Sequence, residues 1–488
     1  MKFIKIITLL TLVIFTGCNK LKDFGDTNVN PNATPTPSAA ALLTNAEVGL
    51  GAANTTGGLF SQMFSETQYT DVSLYALPKL NFDQIYAGVL MDLQNVIDLN
   101  TADATKITAA KFGANVNQIG IARILKAYVI WTITDRWGDV PYTEAFKGLG
   151  NLTPKYDKQE DIYKDLIKEL TEAKAQINAG LAAPIGDVIY YKPALAAGVW
   201  ATAAPRWKKL ANSLRMLIAL RTSKVYPNPG EWAATNLVAA YNDADGYIAA
   251  NTDNFVINYT GSVTAFRNPW YQIYNGRTDF AESKLMTDLM ESLGDPRQTA
   301  YGSTTVGFPY GLTRDLAVAF TNANTNYAKI LASTKRATNS PMLLIGASHI
   351  RLAIAEAAQR GWIPADIATN YQAGIQASWD QWVVTGNITT YMSNSNVALS
   401  GTASDLQKIQ LQQYIAYYPD GLQGWANWRR TGVPALTPTP YATNTSKQIP
   451  RRYTYGANEY SVNVASVTEA ATRIGGDSPD VRIWWDKP

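Results

Sequence analysis

The sequence predicts a mostly α fold, with helices paired into hairpins and long loop-rich insertions between them. Three observations predict it. Apolar residues recur every fourth position in several stretches. The tetrapeptide Gly361-Trp362-Ile363-Pro364 is a short helix–helix connection. The polar, aromatic segments between periodic stretches exceed the ~12–15 residues of ordinary loops.

In chain order, Ile119 to Trp137 sets Ile121, Leu125, Val129 and Ile133 on one face, and Asp161 to Ile177 does the same with Ile162, Leu166, Leu170 and Ala173. Arg206 to Leu220 aligns Leu210, Leu214, Leu217 and Leu220. Ser348 to Gln359 is helical and stops at Gly361. Pro364 then occupies a first helical turn and a second helix runs through Trp379 and Trp382. Asp405 to Tyr418 completes the set. Small residues Ala353, Ala357 and Gly361 in one helix, with Tyr371, Ala373 and Ala377 in the next, resemble a tetratricopeptide-type hairpin, although no strict repeat is readable. The insertions are Tyr69 to Phe82, Asp253 to Phe280, Thr299 to Ala323 and Pro434 to Pro488. They belong to a single domain, 38–488.

Composition narrows the function. Of the 488 residues, 46% are hydrophobic, enough for a large core, and 17% are charged. Forty-two basic against 39 acidic residues give +3, too little for a nucleic-acid protein that neutralises phosphates. One His and one Cys exclude zinc fingers, His-based metal triads and disulfide scaffolds.

The amino terminus reads as an export leader, 1–17. Lys2 and Lys5 precede a ten-residue apolar run, Ile6 to Phe15, too short to span a bilayer but long enough for a signal peptide. Thr16-Gly17 then place small residues before the sole cysteine, the arrangement a bacterial lipoprotein signal requires. Cys18 is therefore the expected lipidation site, and covalent lipid there the only non-protein group expected. Residues 18–37, with three prolines in a polar stretch, read as a tether.

Catalytic and cofactor motifs fail on inspection. There is no GxxxxGK[ST] and no GxSxG. Gly49-Leu50-Gly51 lacks a third glycine, Asn54 standing in its place. Asp243-Ala244-Asp245-Gly246 would need Tyr241 and Thr252 as calcium ligands. His349 has no partner and reads as a packed, hydrogen-bonded residue. No catalytic residue is expected. A glycosidase would need two carboxylates at set separation, which sequence cannot locate.

Tyr and Trp, 27 and 13, outnumber the 13 Phe, and rings with a polar edge match sugar binding: the face covers pyranose C–H groups while neighbours bond hydroxyls. WGDVPYTEAF (Trp137 to Phe146), YPDGLQGWANWRRTG (Tyr418 to Gly432), IPRRYTYGANEYSVN (Ile449 to Asn463) and the closing GGD…RIWWDKP resemble the SusD/RagB family, in its SusD-like branch, surface lipoproteins of the Bacteroidetes outer membrane. The resemblance implies a tetratricopeptide-like scaffold with a loop-rich face, and a SusC-like TonB-dependent transporter as partner. It implies an oligosaccharide cargo, with oligopeptide as the alternative and a surface glycoside hydrolase as a further one. It makes Trp425, Trp428, Arg429, Arg430 and Trp484 architectural, the Arg pair holding carboxylates or helix-end carbonyls. The ligand site is expected in the first and second insertions. Trp270 and Tyr271 would stack on the ligand with Tyr75 opposing and Tyr69 nearby; Arg267, Asn268, Asp71 and Arg277 would bond hydroxyls or carboxylates.

Overall fold

Every stretch with helical periodicity is a helix in the computed structural model, which describes residues 37–76, 79–192 and 199–488. The leader, Cys18 and nearly all of the tether lie outside the described residues. Ala39–Pro488 forms one unit. Its helices of ten or more residues are α1 (Ala39–Gly49), α2 (Met91–Thr101), α3 (Asn115–Trp137), α4 (Gln159–Gln176), α5 (Trp200–Arg221), α6 (Trp232–Tyr241), α7 (Lys284–Leu293), α8 (Arg314–Ala323), α9 (Ala347–Gln359), α10 (Ile367–Trp382), α11 (Asp405–Tyr417), α12 (Gly421–Thr431) and α13 (Val464–Arg473).

Neighbours in sequence pair in space: α3 packs on α2 and α4, α5 on α4 and α6, and α9 on α10 and α11. The periodic residues named above in α3, α4 and α5 are buried, as one-sided apolar stripes require. Where hairpins close most tightly the residue is glycine. A Cβ on Gly120 of α3 would lie 2.8 Å from Ile177, and one on Gly374 of α10 would lie 2.7 Å from Leu352 of α9. The small residues expected to do this, Ala373 and Ala377, are only half-buried, because Tyr371, Gly374, Ile375 and Ser378 face the partner instead. Pro364 falls in the connection rather than the first turn; the helix starts after Asp366, whose carboxylate accepts the Thr369 N–H at 2.6 Å.

The insertions contain more regular structure than their composition suggests. Three antiparallel pairs lie in or beside them. Strand β1 (Phe64–Glu66) pairs with β5 (Phe280–Glu282), β2 (Val140–Pro141) with β3 (Tyr156–Asp157), and β4 (Phe255–Ile257) with β6 (Met342–Ile345). Thr299 to Ala323, expected as loop, includes α8. That helix buries only Ala317 fully and has no long stripe, so tertiary contacts around Phe308 and Tyr327 hold it.

The conspicuous carboxy-terminal motifs are structural. Arg429 lies 3.6 Å from the centroid of the Trp425 ring and donates to the carbonyls of Asp135, in the last turn of α3, and of Arg451. Arg430 grips both oxygens of Glu356 in α9. Asp243 and Asp245 are neutralised by Lys174, Lys208 and Arg215, which accounts for their clustering without a bound cation.

His349, in the first turn of α9, is buried; its Nδ1 accepts from the Gly346 N–H and its Nε2 faces the Ala416 carbonyl. Burial pushes the imidazole down to about 4, the Ala416 carbonyl opposing only in part. Protonation would set a second N–H against that of Gly346. Since the folded state resists a proton that the unfolded chain accepts near pH 6.5, stability from this group is complete above that value and falls toward pH 4. We expect about 3 kcal/mol of acid-side stability loss to vanish in His349→Gln, read as the difference between urea unfolding curves of the two proteins at pH 4 and pH 7. Parallel pH profiles would refute it.

Candidate functional site: an arginine-flanked tyrosine on the loop-rich face

The loop leaving β1 is fastened at both ends. At its start the Thr67 N–H donates to the Asp279 carbonyl and its hydroxyl to the Thr278 carbonyl, at 2.9 and 2.6 Å. The Glu66 carboxylate accepts from both the N–H and the hydroxyl of Ser73, each at 2.8 Å, closing the loop on itself. At its end Tyr75 turns inward at φ +66° and its hydroxyl accepts from the Thr439 N–H. Thr443 donates twice to the Leu74 carbonyl, stapling on a second loop that carries the exposed Tyr441.

With Thr67, Thr70, Ser73 and Tyr75 turned inward, the residues of the loop left facing solvent are Gln68, Tyr69, Asp71 and Ala76. Tyr69 is half exposed, and Asp71 is exposed beside it. Two guanidiniums approach the Tyr69 ring, Arg277 at 5.9 Å and Arg314 at 5.6 Å from its centroid. Arg277 is paired with Asp279 at 2.5 Å. Arg314, at the start of α8, has no carboxylate within ion-pair distance among the described residues. Thr321 ties α8 back to the Thr67 carbonyl at 3.3 Å. The result is an open platform: one aromatic face, one uncompensated cation, one compensated cation and a free carboxylate.

Of the expected site residues, the structure brings together Tyr69, Asp71 and Arg277. Tyr271 is half-buried and Arg267 is half-buried with its Nε lacking a partner. The expected sandwich of Trp270 and Tyr75 is not formed. Trp270 is 2% exposed, packed edge-on against Phe64 at 5.6 Å, and Tyr75 is 1% exposed against Phe60 in a different hydrophobic cluster. Asn268 is also internal: its side-chain oxygen caps the short helix at Trp270 N and its amide donates to the Ser340 carbonyl. These three residues shape the loops from inside. Arg314 was missed; its signal was a Thr-Arg-Asp helix start inside a segment read as loop. Among the described residues no group of three or more His, Cys, Asp or Glu could hold a metal, and no helix is long and apolar enough to cross a membrane.

Against known proteins, the family model SusD-like 2, described as "Starch-binding associating with outer membrane", matches residues 31–456. The chain belongs to the SusD-like family. Solved SusD-like structures superpose over nearly its whole length. A chitin-binding protein shares 27% identity at a TM-score of 0.75, covering 92% of this chain and all of that one. A chitin-binding SusD homologue from Flavobacterium johnsoniae shares 25% at 0.73, covering 93% of this chain and 95% of that one. A SusD homologue from Bacteroides fragilis, at 20% identity, shares the fold with a TM-score of 0.77, covering 92% and 100%. No curated protein sequence matches the chain. SusD-like relatives are binding proteins of the outer membrane, and the helical scaffold with its loop-rich face is theirs.

Proposed function

We propose that this SusD-like chain is a cell-surface lipoprotein, anchored through lipid on Cys18, that captures oligosaccharides and passes them to a SusC-like TonB-dependent transporter in the outer membrane. The carrying observation is the Tyr69 platform: an exposed ring with Arg277 and Arg314 beside it, on loops fastened from within. A ring face covers the apolar face of a pyranose, and guanidinium N–H groups donate to hydroxyl or acetamido oxygens. The two chitin-binding relatives make N-acetylglucosamine oligomers the first ligand to try. A half-exposed ring favours modest affinity, near micromolar or about −8 kcal/mol, which permits release to a transporter.

Isothermal titration of the full mature chain with chitohexaose, maltohexaose and a mixed-peptide pool tests this reading. Tyr69→Ala should weaken the best ligand about tenfold, the equivalent of about 1.4 kcal/mol, and Arg314→Ala by a similar factor. Full affinity in the Tyr69→Ala/Arg314→Ala double variant would place the site elsewhere. Binding confined to the peptide pool would make oligopeptide the cargo.

A further inference from the structure

We propose that the pocket where the carboxy-terminal end of α3 meets the start of α12 binds a small free α-amino acid with an aliphatic side chain. The pocket shares no residue with the Tyr69 platform and does not depend on a glycan cargo.

It measures about 120 Å³, the room of about four waters at ~30 Å³ each, which suits a small ligand and not a sugar oligomer. Its walls are largely apolar. Leu50 follows α1, Val89 precedes α2, Val129 lies on α3 and Leu422 on α12. Leu50, Val89 and Leu422 are only half-buried, so they present surface to the opening.

Two opposite charges stand in this apolar setting without neutralising each other. Arg136, in the last turn of α3, is 8% exposed. Its Nε donates to the Thr132 carbonyl at 2.8 Å, and its Nη2 reaches only the Thr132 hydroxyl, at 3.5 Å. Its Nη1 makes no hydrogen bond and opens on the pocket rather than being sealed in the core. Among the described residues no carboxylate lies within ion-pair distance of this cation. Asp420, the cap of α12, accepts the Leu422 and Gln423 N–H groups on Oδ1 at 3.1 and 3.2 Å. Its Oδ2 makes no hydrogen bond and is likewise open, as is the Tyr128 hydroxyl between them in the lining.

Neither charge is fully compensated. Burial pushes the Arg136 guanidinium down, and it raises the Asp420 carboxyl to about 6, with the Gln423 and Leu422 bonds and then Arg221 and Arg136 opposing. An anion alone would meet Asp420, and a cation alone would meet Arg136. An α-amino acid carries both charges on one carbon and an apolar side chain beside them. Its carboxylate would take Arg136 and Tyr128, its ammonium Asp420, and its side chain the surface of Leu50, Val89 and Leu422. In a peptide the two charges are held apart by the intervening chain, so the free amino acid is the better match.

Isothermal titration of the full mature chain at pH 7.5 tests the pocket, with L-valine, 3-methylbutanoate and 2-methylpropylamine at millimolar concentration. The last two keep the carbon skeleton and lack the ammonium or the carboxylate. Valine should bind saturably, and each analogue at least about tenfold more weakly. Asp420→Asn retains the Oδ1 cap; it should weaken valine by about tenfold and remove the preference for valine over 3-methylbutanoate. Ala52→Trp, on the exposed rim, should abolish binding by filling the mouth, and Tyr69→Ala should leave valine binding unchanged. Absence of saturable valine binding overturns the site, as do equal affinities for the three probes or valine binding that persists unchanged in Ala52→Trp. Thermal melts of each variant report folding, and Ala52→Trp decides alone where Asp420→Asn melts early.

Discussion

Arg430→Ala should destabilise the protein by about 3 kcal/mol or more. The guanidinium is buried and donates to both Glu356 oxygens, at 2.6 and 2.8 Å, and to Gln413, Asn427 and Ser223. Glu356 itself is fully enclosed in α9, and it also receives Gln413 from α11. Burial alone would drive that carboxyl to protonate, but Arg430, with Arg360 behind it, outweighs burial and holds it below the usual carboxylate range. The charge therefore exists because the cations do. Deleting Arg430 leaves a buried carboxylate with only the partly buried Arg360 to balance it, and unties α12 from α9 and α11 together. Replacing both partners, as Arg430→Met/Glu356→Leu, should recover most of the loss, because two desolvation penalties disappear with the attraction. Urea unfolding midpoints of the two single variants and the double one decide it. A loss below about 1 kcal/mol in Arg430→Ala would mean that the cluster is as solvated as a surface pair.

The same residues show how much was legible from sequence. Trp425, Arg429 and Arg430 stand in a motif dense enough to suggest chemistry, yet the resemblance makes them architectural, and the bonds of Trp425 to Pro450, of Arg429 to Asp135 and Arg451 and of Arg430 to Glu356 join elements of the scaffold. The long helices were legible because each buries a stripe repeating every fourth residue, a signal internal to the segment. The loops carry no such signal. Whether a ring in a loop points in or out is decided by partners far along the chain, such as Thr439 for Tyr75 and Ser340 for the turn that buries Trp270. Tyr69 and Tyr75 are six residues apart in one loop, and one is half exposed while the other is core. Arg314 lies in a helix of only ten residues that buries Ala317 alone and is held by Phe308 and Tyr327, outside its own span. Tyr69, Asp71 and Arg277 reach the surface together, whereas Trp270 and Tyr75 turn into separate hydrophobic clusters, because tertiary partners alone set the direction.

Glu282→Gln should raise stability at pH 8 relative to wild type by about 4 kcal/mol more than it does at pH 4.5. Glu282 ends β5, three residues beyond the Asp279 that anchors Arg277. It is wholly buried, one carboxyl oxygen accepts from the Gln298 amide at 2.8 Å, and the other has no partner. No cation lies within ion-pair distance of it among the described residues. Burial raises the carboxyl to about 8, the Gln298 bond opposing only weakly. Below pH 4.5 both folded and unfolded chains hold the proton. Between pH 4.5 and 8 the unfolded chain releases it while the folded one keeps it, so stability contributed by this group is complete at the acid end and is lost as pH rises through 8. Glu66, at the other end of the β1–β5 pair opposite Phe280 and raised to about 7 by burial against its Ser73 bonds, adds a smaller change of the same sign that persists in the variant. Gln is neutral at every pH and nearly the same shape, so the variant should flatten the alkaline fall without opening a cavity. Urea midpoints at pH 4.5, 6 and 8 for the two proteins measure it. Superimposable slopes would show that Glu282 is ionised in the fold, and the carboxyl would then need a cation or ordered water against its unpartnered oxygen.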